Sequence, residues 1–475
     1  MNDKDTHLPI IGGRSIACSP VREILSPWDG SVVGKVALAG SSEIDTSIAS
    51  VSEAASSMAK APAWQRAAWL EAIASGVGRH EQALIKTILA EAGKPLKLAR
   101  LEVQRAKQTF SLAAEEARRL DGEVIPLDAV SAGEGRVGLV RRFPLGPIAA
   151  ITPFNFPLNL VAHKVAPAIA AGCSILVKPA DQTPLTALLL ARILLEAGLP
   201  PGAMDVTPCE VADAMALVED DRLRALSFTG SAKVGWELKA KAGRKRVLLE
   251  LGGNAAAIVH HDANLDEAAK RCAAGAFAYA GQVCISVQRI LVHASRGDEF
   301  MEKLLAESRA LPVGDPSDPE VMVGPVRSDA DAERIMTWIE EARSKGASVL
   351  MGGSRDSRVM APTVLSEVDP SCSVWAEEVF GPVVAVATYD DEEDALNRVN
   401  DSTYGLQAGI FTRDIGLLTR AWNELEVGAI IHDDAPSFRV DHMPYGGVKG
   451  SGIGREGVRY AIEEMTEMRL LAMRG

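Results

Sequence analysis

Cysteine is sparse in this 475-residue chain, and the six present are scattered: Cys18, Cys173, Cys209, Cys272, Cys284 and Cys372. No C-x-x-C pair occurs, so a structural zinc site or a small disulfide framework is not expected. Histidine is also scarce, and the eight residues never fall into an H-E-x-x-H spacing, so no metal site is expected. Basic residues are in the minority, 50 against 63 acidic ones, for a net charge of −13. That balance argues against a nucleic-acid partner, which needs a basic surface to displace counterions. The longest uncharged run, GPIAAITPFNFPLNLVA (146–162), carries three prolines and two asparagines and makes a poor membrane helix. The opening MNDKDTHLPIIGGR lacks the apolar core of a secretion signal. These absences lead to the expectation of a soluble, cytoplasmic protein with neither nucleic acid nor membrane as partner.

What is present is ordinary globular material. Hydrophobic residues make up 47% and charged residues 24%, and the length suits two or three domains. Apolar spacing predicts helices over 42–62, 62–95 and 97–120, with Gly122 as a stop. The next stretch, GEVIPLDAVSAGEGRVGLVRRFPLG, alternates around a Gly-rich turn at 133–135, as a hairpin does. From 146 onward strands and helices alternate. PIAAITP, CSILVKP, AMDVTP, LRALSFTG and RKRVLLELGG read as strands. The segments between them read as helices, one with Thr183 as N-cap and Pro184 in its first turn. This is the pattern of an α/β, doubly wound parallel sheet. A second α/β run follows from about 254 to 445, and EEMTEMRLLAMRG at the end reads as a strand that pairs elsewhere.

Five short stretches carry candidate chemistry, each with a plain alternative. In YAGQVCISVQRI, Cys284 is a thiolate nucleophile or a core thiol; one cysteine does not decide. In TPFNFP, the Asn155 amide is placed to donate to a developing oxyanion, or it satisfies a turn. In LVKPAD, Lys178 and Asp181 follow a buried strand, where ligands bind in open α/β sheets; the alternative is a solvated loop. In LSFTGSAKVG, Thr229, Gly230 and Ser231 sit where a strand turns into a helix, a place that favours phosphate, although G-x-x-x-x-G is not the usual fingerprint. In LLELGGN, Glu250 ends an apolar strand. It is a base raised in pKa by burial, or a rim carboxylate paired with a lysine.

Taken in order, TPFNFP, KPAD, FTGS, ELGG, GQVC, EEVFGPV (377–383), NDSTYGL (400–406) and PYGGVKGSGIGREG (444–457) resemble the non-acylating, NAD(P)-dependent aldehyde dehydrogenase superfamily across nearly the whole chain. Glu250 precedes Cys284 by 34 residues, in keeping with that family. The resemblance implies a Rossmann-like cofactor domain (1–121 and 145–251), an α/β catalytic domain (252–458) and a β oligomerisation arm (122–144 and 459–475) that builds a homodimer or homotetramer. It implies that Cys284 attacks an aldehyde carbon and that Asn155 and the Cys284 N–H hold the oxyanion. Glu250 would then activate water against the thioester, with Lys164 among the catalytic set. It implies NAD or NADP held by Thr152, Pro153, Phe154, Lys178, Asp181, Thr229, Gly230, Ser231, Leu251, Glu378 and Phe380. Asp181 stands where the family often has Glu. A shorter acid clashes less with a 2′-phosphate, and Lys178 would welcome one.

The resemblance also implies a small-molecule aldehyde as substrate. By the same resemblance, Phe156, Leu160, Val283 and Ile285 shape its pocket. His163, Arg439 and Tyr445 fall where members acting on aromatic or fatty aldehydes often carry Trp or Phe, and Arg105 lies at the tunnel mouth. The combination NLVAHK, GQVCISVQR and FRVDHMPYGG looks most like the lactaldehyde and glycolaldehyde dehydrogenase branch. An arginine fork suits carboxylate, phosphate or sulfonate, so a small anionic aldehyde is the alternative. Val283, where several anion-using relatives carry Arg, counts against phosphorylated ones. Pairing of Arg439 with Asp441, Asp433 or Asp434, and of Arg105 with Glu102 or Glu116, would take both away from substrate. A CoA-acylating enzyme is disfavoured by Glu250. A thiol hydrolase or a silent binding protein leaves the dinucleotide signals unexplained.

Overall fold

The computed structural model describes residues 6–474; Gly475 and the first five residues of the polar opening segment lie outside the described residues. The N-terminal helices form where the apolar spacing places them. Leu96–Arg118 buries Ala99, Val103, Ala106, Phe110, Ala113 and Ala117, one stripe at intervals of three and four. The single helix expected over 62–95 is two, Ala63–Arg79 and Glu81–Ala92, broken at His80. Two glycines in the last turn of the first weaken its continuation, and the His80 Nε2 meets Glu196 Oε2 at 2.9 Å. The expected Thr183 cap is also different. Its hydroxyl is buried without a partner. The Glu91 carboxylate instead accepts from Leu185 N (2.8 Å) and Thr186 N (2.9 Å), satisfying the helix start from a neighbouring helix.

An eight-stranded sheet runs, in spatial order, Gly452–Ile453, Arg246–Glu250, Ala225–Thr229, Ile148–Ile151, Ile175–Lys178, Met204–Val206, Ile10–Ile11 and Arg14–Ser15. Its five central strands are parallel. Helices cover both faces, so the strands are near-continuous apolar runs. Chain order reverses between Ile148–Ile151 and Ala225–Thr229, and a crevice opens beyond their carboxyl ends.

A seven-stranded sheet follows, centred on Val383–Tyr389, Val287–His293, Ala255–Val259 and Gln407–Phe411, all parallel. Only four residues, 251–254, join the last parallel strand of the first sheet to Ala255–Val259. Gly122–Pro126, Arg136–Pro144 and Thr466–Arg474 form a separate antiparallel sheet, with the terminal strand registered along Arg136–Pro144. Among the described residues no helix is long and apolar enough to cross a membrane.

Candidate active site

Cys284 lies in the loop that feeds the strand Val287–His293. The loop is held in an uncommon shape, with Tyr279 and Ala280 at φ 55° and 53°. Gln282 fastens it: Nε2 donates to the carbonyls of Tyr279 (3.3 Å) and Pro325 (3.2 Å), and Oε1 accepts from Arg327 N (2.9 Å). The Asn155 Nδ2 donates to the Gln282 carbonyl at 2.9 Å. That uses one of its two amide hydrogens.

The two glycines of LGGN admit close neighbours, Gly253 a backbone carbonyl that cannot give way and Gly252 the tip of a glutamate side chain. A Cβ on Gly253 would stand 2.3 Å from the Cys284 carbonyl oxygen, and one on Gly252 2.3 Å from Glu378 Oε2. Glu250 ends its strand fully enclosed, and its Oε2 has no hydrogen-bond partner. Gly446, at φ +153°, leaves the space in which Glu250 Oε1 sits; a Cβ there would approach it to 2.9 Å. Burial, and then the neighbouring Glu456, push the Glu250 carboxyl well above the ordinary range. Glu456 itself is raised by burial, but Lys164 and Arg439 more than offset this and hold it low. Lys164 Nζ reaches Glu456 Oε1 at 3.3 Å and Ser227 Oγ at 3.0 Å, so the lysine supports the carboxylate cluster and shows no contact with Cys284.

Above Cys284 opens a cavity of about 330 Å³, the size of a small-ligand site. Arg105, Phe156, Leu160, Val283, Ile285, Arg439 and Tyr445 line it together with the cysteine. His163 is a correction. Its buried ring stands behind the wall, with Nε2 2.8 Å from Asp441 Oδ1, and it is not part of the lining. The anticipated pairings of the arginines are corrected too. Asp441 binds Arg105, at Nε (3.2 Å) and Nη2 (2.7 Å), and Glu456 takes Arg439, at Nη2 (2.9 Å). Both guanidinium groups nevertheless line the cavity. Cys284 Sγ and Tyr445 Oη are 2.9 Å apart. Burial pushes the thiol up to about 12, while the Tyr445 hydroxyl and the Arg439 charge pull it down.

The expected cofactor residues gather at the carboxyl edge of the first sheet. Thr152, Pro153 and Phe154 follow Ile148–Ile151, and Lys178 and Thr229 end their strands. Ser231 is the N-cap of Ala232–Lys241 and makes no side-chain cap bond, leaving first-turn N–H groups open toward an anion. Gly230 N donates to the Glu250 carbonyl (3.1 Å), and the next residue, Leu251, is buried. Lys178 and Asp181 form an ion pair; Arg22 joins them, 3.4 Å from Asp181 Oδ2. Phe154 meets Phe380 edge to face at 5.9 Å. The Glu378 carboxyl, raised to about 7 by burial, accepts from Gly253 N at 3.0 Å. The Thr229 hydroxyl is buried and unpartnered. Open donors for phosphate, carboxylates for ribose hydroxyls and an orphaned hydroxyl at a topological switch point fit a dinucleotide.

Reading residues one at a time missed Gln282, Glu456 and Arg22, and took Asp441 only as a partner for Arg439. Glu456 stands in the quoted GREG and Asp441 in FRVDHM, each beside a basic or imidazole neighbour that it does not use as its partner. Asp441 meets Arg105, His163 and Asn159, and Glu456 meets Lys164, all hundreds of residues away along the chain, beyond the reach of local pattern; only Arg439 lies near Glu456 in sequence.

The sequence pattern of the aldehyde dehydrogenase family matches residues 17–471. A 3-sulfolactaldehyde dehydrogenase of Priestia aryabhattai is 42% identical over 95% of this chain and 94% of its own. The crystal structure of aldehyde dehydrogenase 21 from Physcomitrella patens, in complex with the reaction product succinate, superposes with a TM-score of 0.97 at 41% identity, covering 99% of this chain and 98% of that one. That of glyceraldehyde-3-phosphate dehydrogenase from Methanocaldococcus jannaschii, complexed with NADP, gives 0.91 at 38%, covering 95% and 99%. With motifs, sheet topology and relatives in agreement, the chain belongs to the aldehyde dehydrogenase family and is an NAD(P)-dependent oxidoreductase.

Proposed function

We propose that this enzyme oxidises a short aldehyde with a negatively charged tail to the carboxylic acid, using Cys284 as nucleophile and hydrolysing the thioester with Glu250. The observation that carries the reading is one small cavity lined by Cys284 together with Arg105 and Arg439. The Cys284 sulfur attacks the carbonyl carbon. The remaining Asn155 amide hydrogen and the Cys284 backbone N–H stabilise the oxygen that becomes negative. A dinucleotide held by Thr229, Ser231 and Glu378 would supply the acceptor for the hydride on that carbon. Glu250 then takes a proton from water as the water attacks the thioester; it is enclosed and raised in pKa, as a base working near neutrality requires. Retention of this carboxylate supports hydrolysis over transfer to coenzyme A. Relatives named for sulfolactaldehyde and solved with succinate support an anionic tail.

One observation favours a second reading. Each guanidinium already has a carboxylate partner, which suits an uncharged hydroxyaldehyde such as lactaldehyde or glycolaldehyde. A panel of sulfolactaldehyde, succinic semialdehyde, glyceraldehyde 3-phosphate, lactaldehyde and glycolaldehyde, run with NAD and with NADP, decides between them. Highest kcat/KM with the sulfonate or carboxylate is expected, and preference for the neutral pair reverses the reading. Cys284→Ser is expected to abolish NAD(P)H formation with every member, and retained turnover would sink the mechanism. We also infer that the three-stranded sheet is the arm of a homo-oligomer, since Val124, Met468, Leu470 and Leu471 stand exposed on it. A monomeric mass by light scattering would refute this.

A further inference from the structure

We propose that Tyr445 is a catalytic residue of this enzyme: its hydroxyl donates to the Cys284 sulfur and, backed by the Arg439 guanidinium, stabilises the thiolate that attacks substrate. The proposal rests on the reading of Cys284 as nucleophile.

Four observations carry it. Tyr445 Oη lies 2.9 Å from Cys284 Sγ. Tyr445 is buried, and the sulfur is the one hydrogen-bond partner of its hydroxyl among the described residues; either atom can donate while the thiol is protonated, but a thiolate has no hydrogen, so the phenol must then be the donor. The Arg439 guanidinium lies over the Tyr445 ring, 3.6 Å from its centre. A cation on that face makes the phenol a stronger donor and places positive charge near the sulfur. The rest of the surroundings oppose ionisation: Ile285 and Leu406 pack around the sulfur and the ring, the Glu378 and Glu250 carboxyls push the thiol up, and among the described residues no other hydroxyl or N–H is hydrogen-bonded to Sγ. A buried thiol in apolar surroundings is otherwise held in its unreactive form. Arg439 is fixed for this task by Glu456 at 2.9 Å, and its Nε is buried without a partner.

The test is the pH dependence of iodoacetamide alkylation, with the modified residue identified by mass spectrometry, in the full-length enzyme and in Tyr445→Phe. Phenylalanine keeps the ring and its stacking on Arg439 and removes only the hydroxyl, so a packing role leaves the profile unmoved. The expected result is an apparent pKa of Cys284 raised by about one unit, and alkylation at a fixed pH below it about tenfold slower. Thiolate absorbance in the ultraviolet, titrated in parallel, is expected to shift the same way. A profile unchanged or moved to lower pH overturns the role of Tyr445 while leaving Cys284 as nucleophile. Absence of alkylation at Cys284 in both proteins overturns the nucleophile assignment, and this proposal with it.

Discussion

Arg439 and Arg105 line one cavity, and they are built differently. Arg439, with a side chain 8% exposed, stands at the floor over the Tyr445 ring and leaves its Nε unpartnered. It shares Glu456 with Lys164, and Glu456 in turn acts on Glu250. Arg105, 21% exposed, stands with two of its nitrogens occupied by Asp441, which also receives His163 and Asn159. The floor arginine is thus tied to the groups proposed to do chemistry, and the mouth arginine to a scaffold that fixes its direction. Changes at the floor should move kcat and stability; changes at the mouth should move KM.

The largest effect is expected at the floor. Glu250→Gln should leave a burst of one NAD(P)H per active site, then slow turnover by ~10²–10⁴-fold, the ordinary worth of a general base. The sign of the pH dependence follows from the raised carboxyl. Glu250 must be ionised to take a proton, so wild-type hydrolysis should climb with pH along a limb lying well above the usual glutamate value of 4.5, and the variant should lose that limb. A burst-free variant with the limb intact would remove Glu250 from the step. Arg439→Met comes next. It leaves Glu456 buried with Lys164 as its remaining cation, and breaking such a pair costs about 3–5 kcal/mol, read as a lower urea midpoint. An unchanged midpoint would mean that Lys164 alone suffices, and the floor would be no more rigid than the mouth.

Asp441→Asn sharpens the contrast from the other end. The carboxyl is pushed up by burial, yet hydrogen bonds from His163 and Arg105 hold it well below the ordinary aspartate range. A depressed folded pKa gives stability that is fully present above the unfolded value near 3.8 and is lost as pH falls through the folded one. Wild type should therefore exceed the asparagine variant by about 1.5–3 kcal/mol at neutral pH, and the gap should narrow as the pH is taken below about 4. A gap constant with pH would show that the hydrogen bonds matter and the charge does not.

These two ends were unequally legible in the sequence. The strand–helix alternation from 146 shows the first sheet because buried parallel strands are written as short apolar runs between helices. Glu250, Lys178 and Thr229 are readable as strand-end residues for the same reason. The helix break at His80 and the cap supplied by Glu91 were not, since each depends on a contact with another element. The cavity arginines were legible only as unusual residue types at aligned positions. Their partners were not: Arg105 finds Asp441 336 residues away, while the acids on its own helix are turned to other uses, Glu102 to Lys94 and Glu116 to Arg119. His163 shows the limit most plainly. Its place in the motif is unusual for the family, yet its side chain is turned into the wall to complete the Asp441 cluster.

The smallest effect is expected at Arg105 itself. Its head group is oriented by Asp441 and has no contact with the Cys284 sulfur, so it should bind a charged tail equally in the ground state and the transition state. Loss of such uniform binding raises KM and leaves kcat nearly alone. Arg105→Ala should raise KM for the best anionic aldehyde about tenfold, or ~1.4 kcal/mol, and leave lactaldehyde within about twofold. Arg105→Lys should recover only part, because an ammonium cannot hold both Asp441 oxygens and still present a planar fork to the tail. Raised ionic strength should weaken wild type and not the alanine variant, since a partly exposed charge is screened by salt. If KM for anionic and neutral aldehydes rises together, Arg105 only shapes the mouth, and recognition of charge would rest on Arg439 alone.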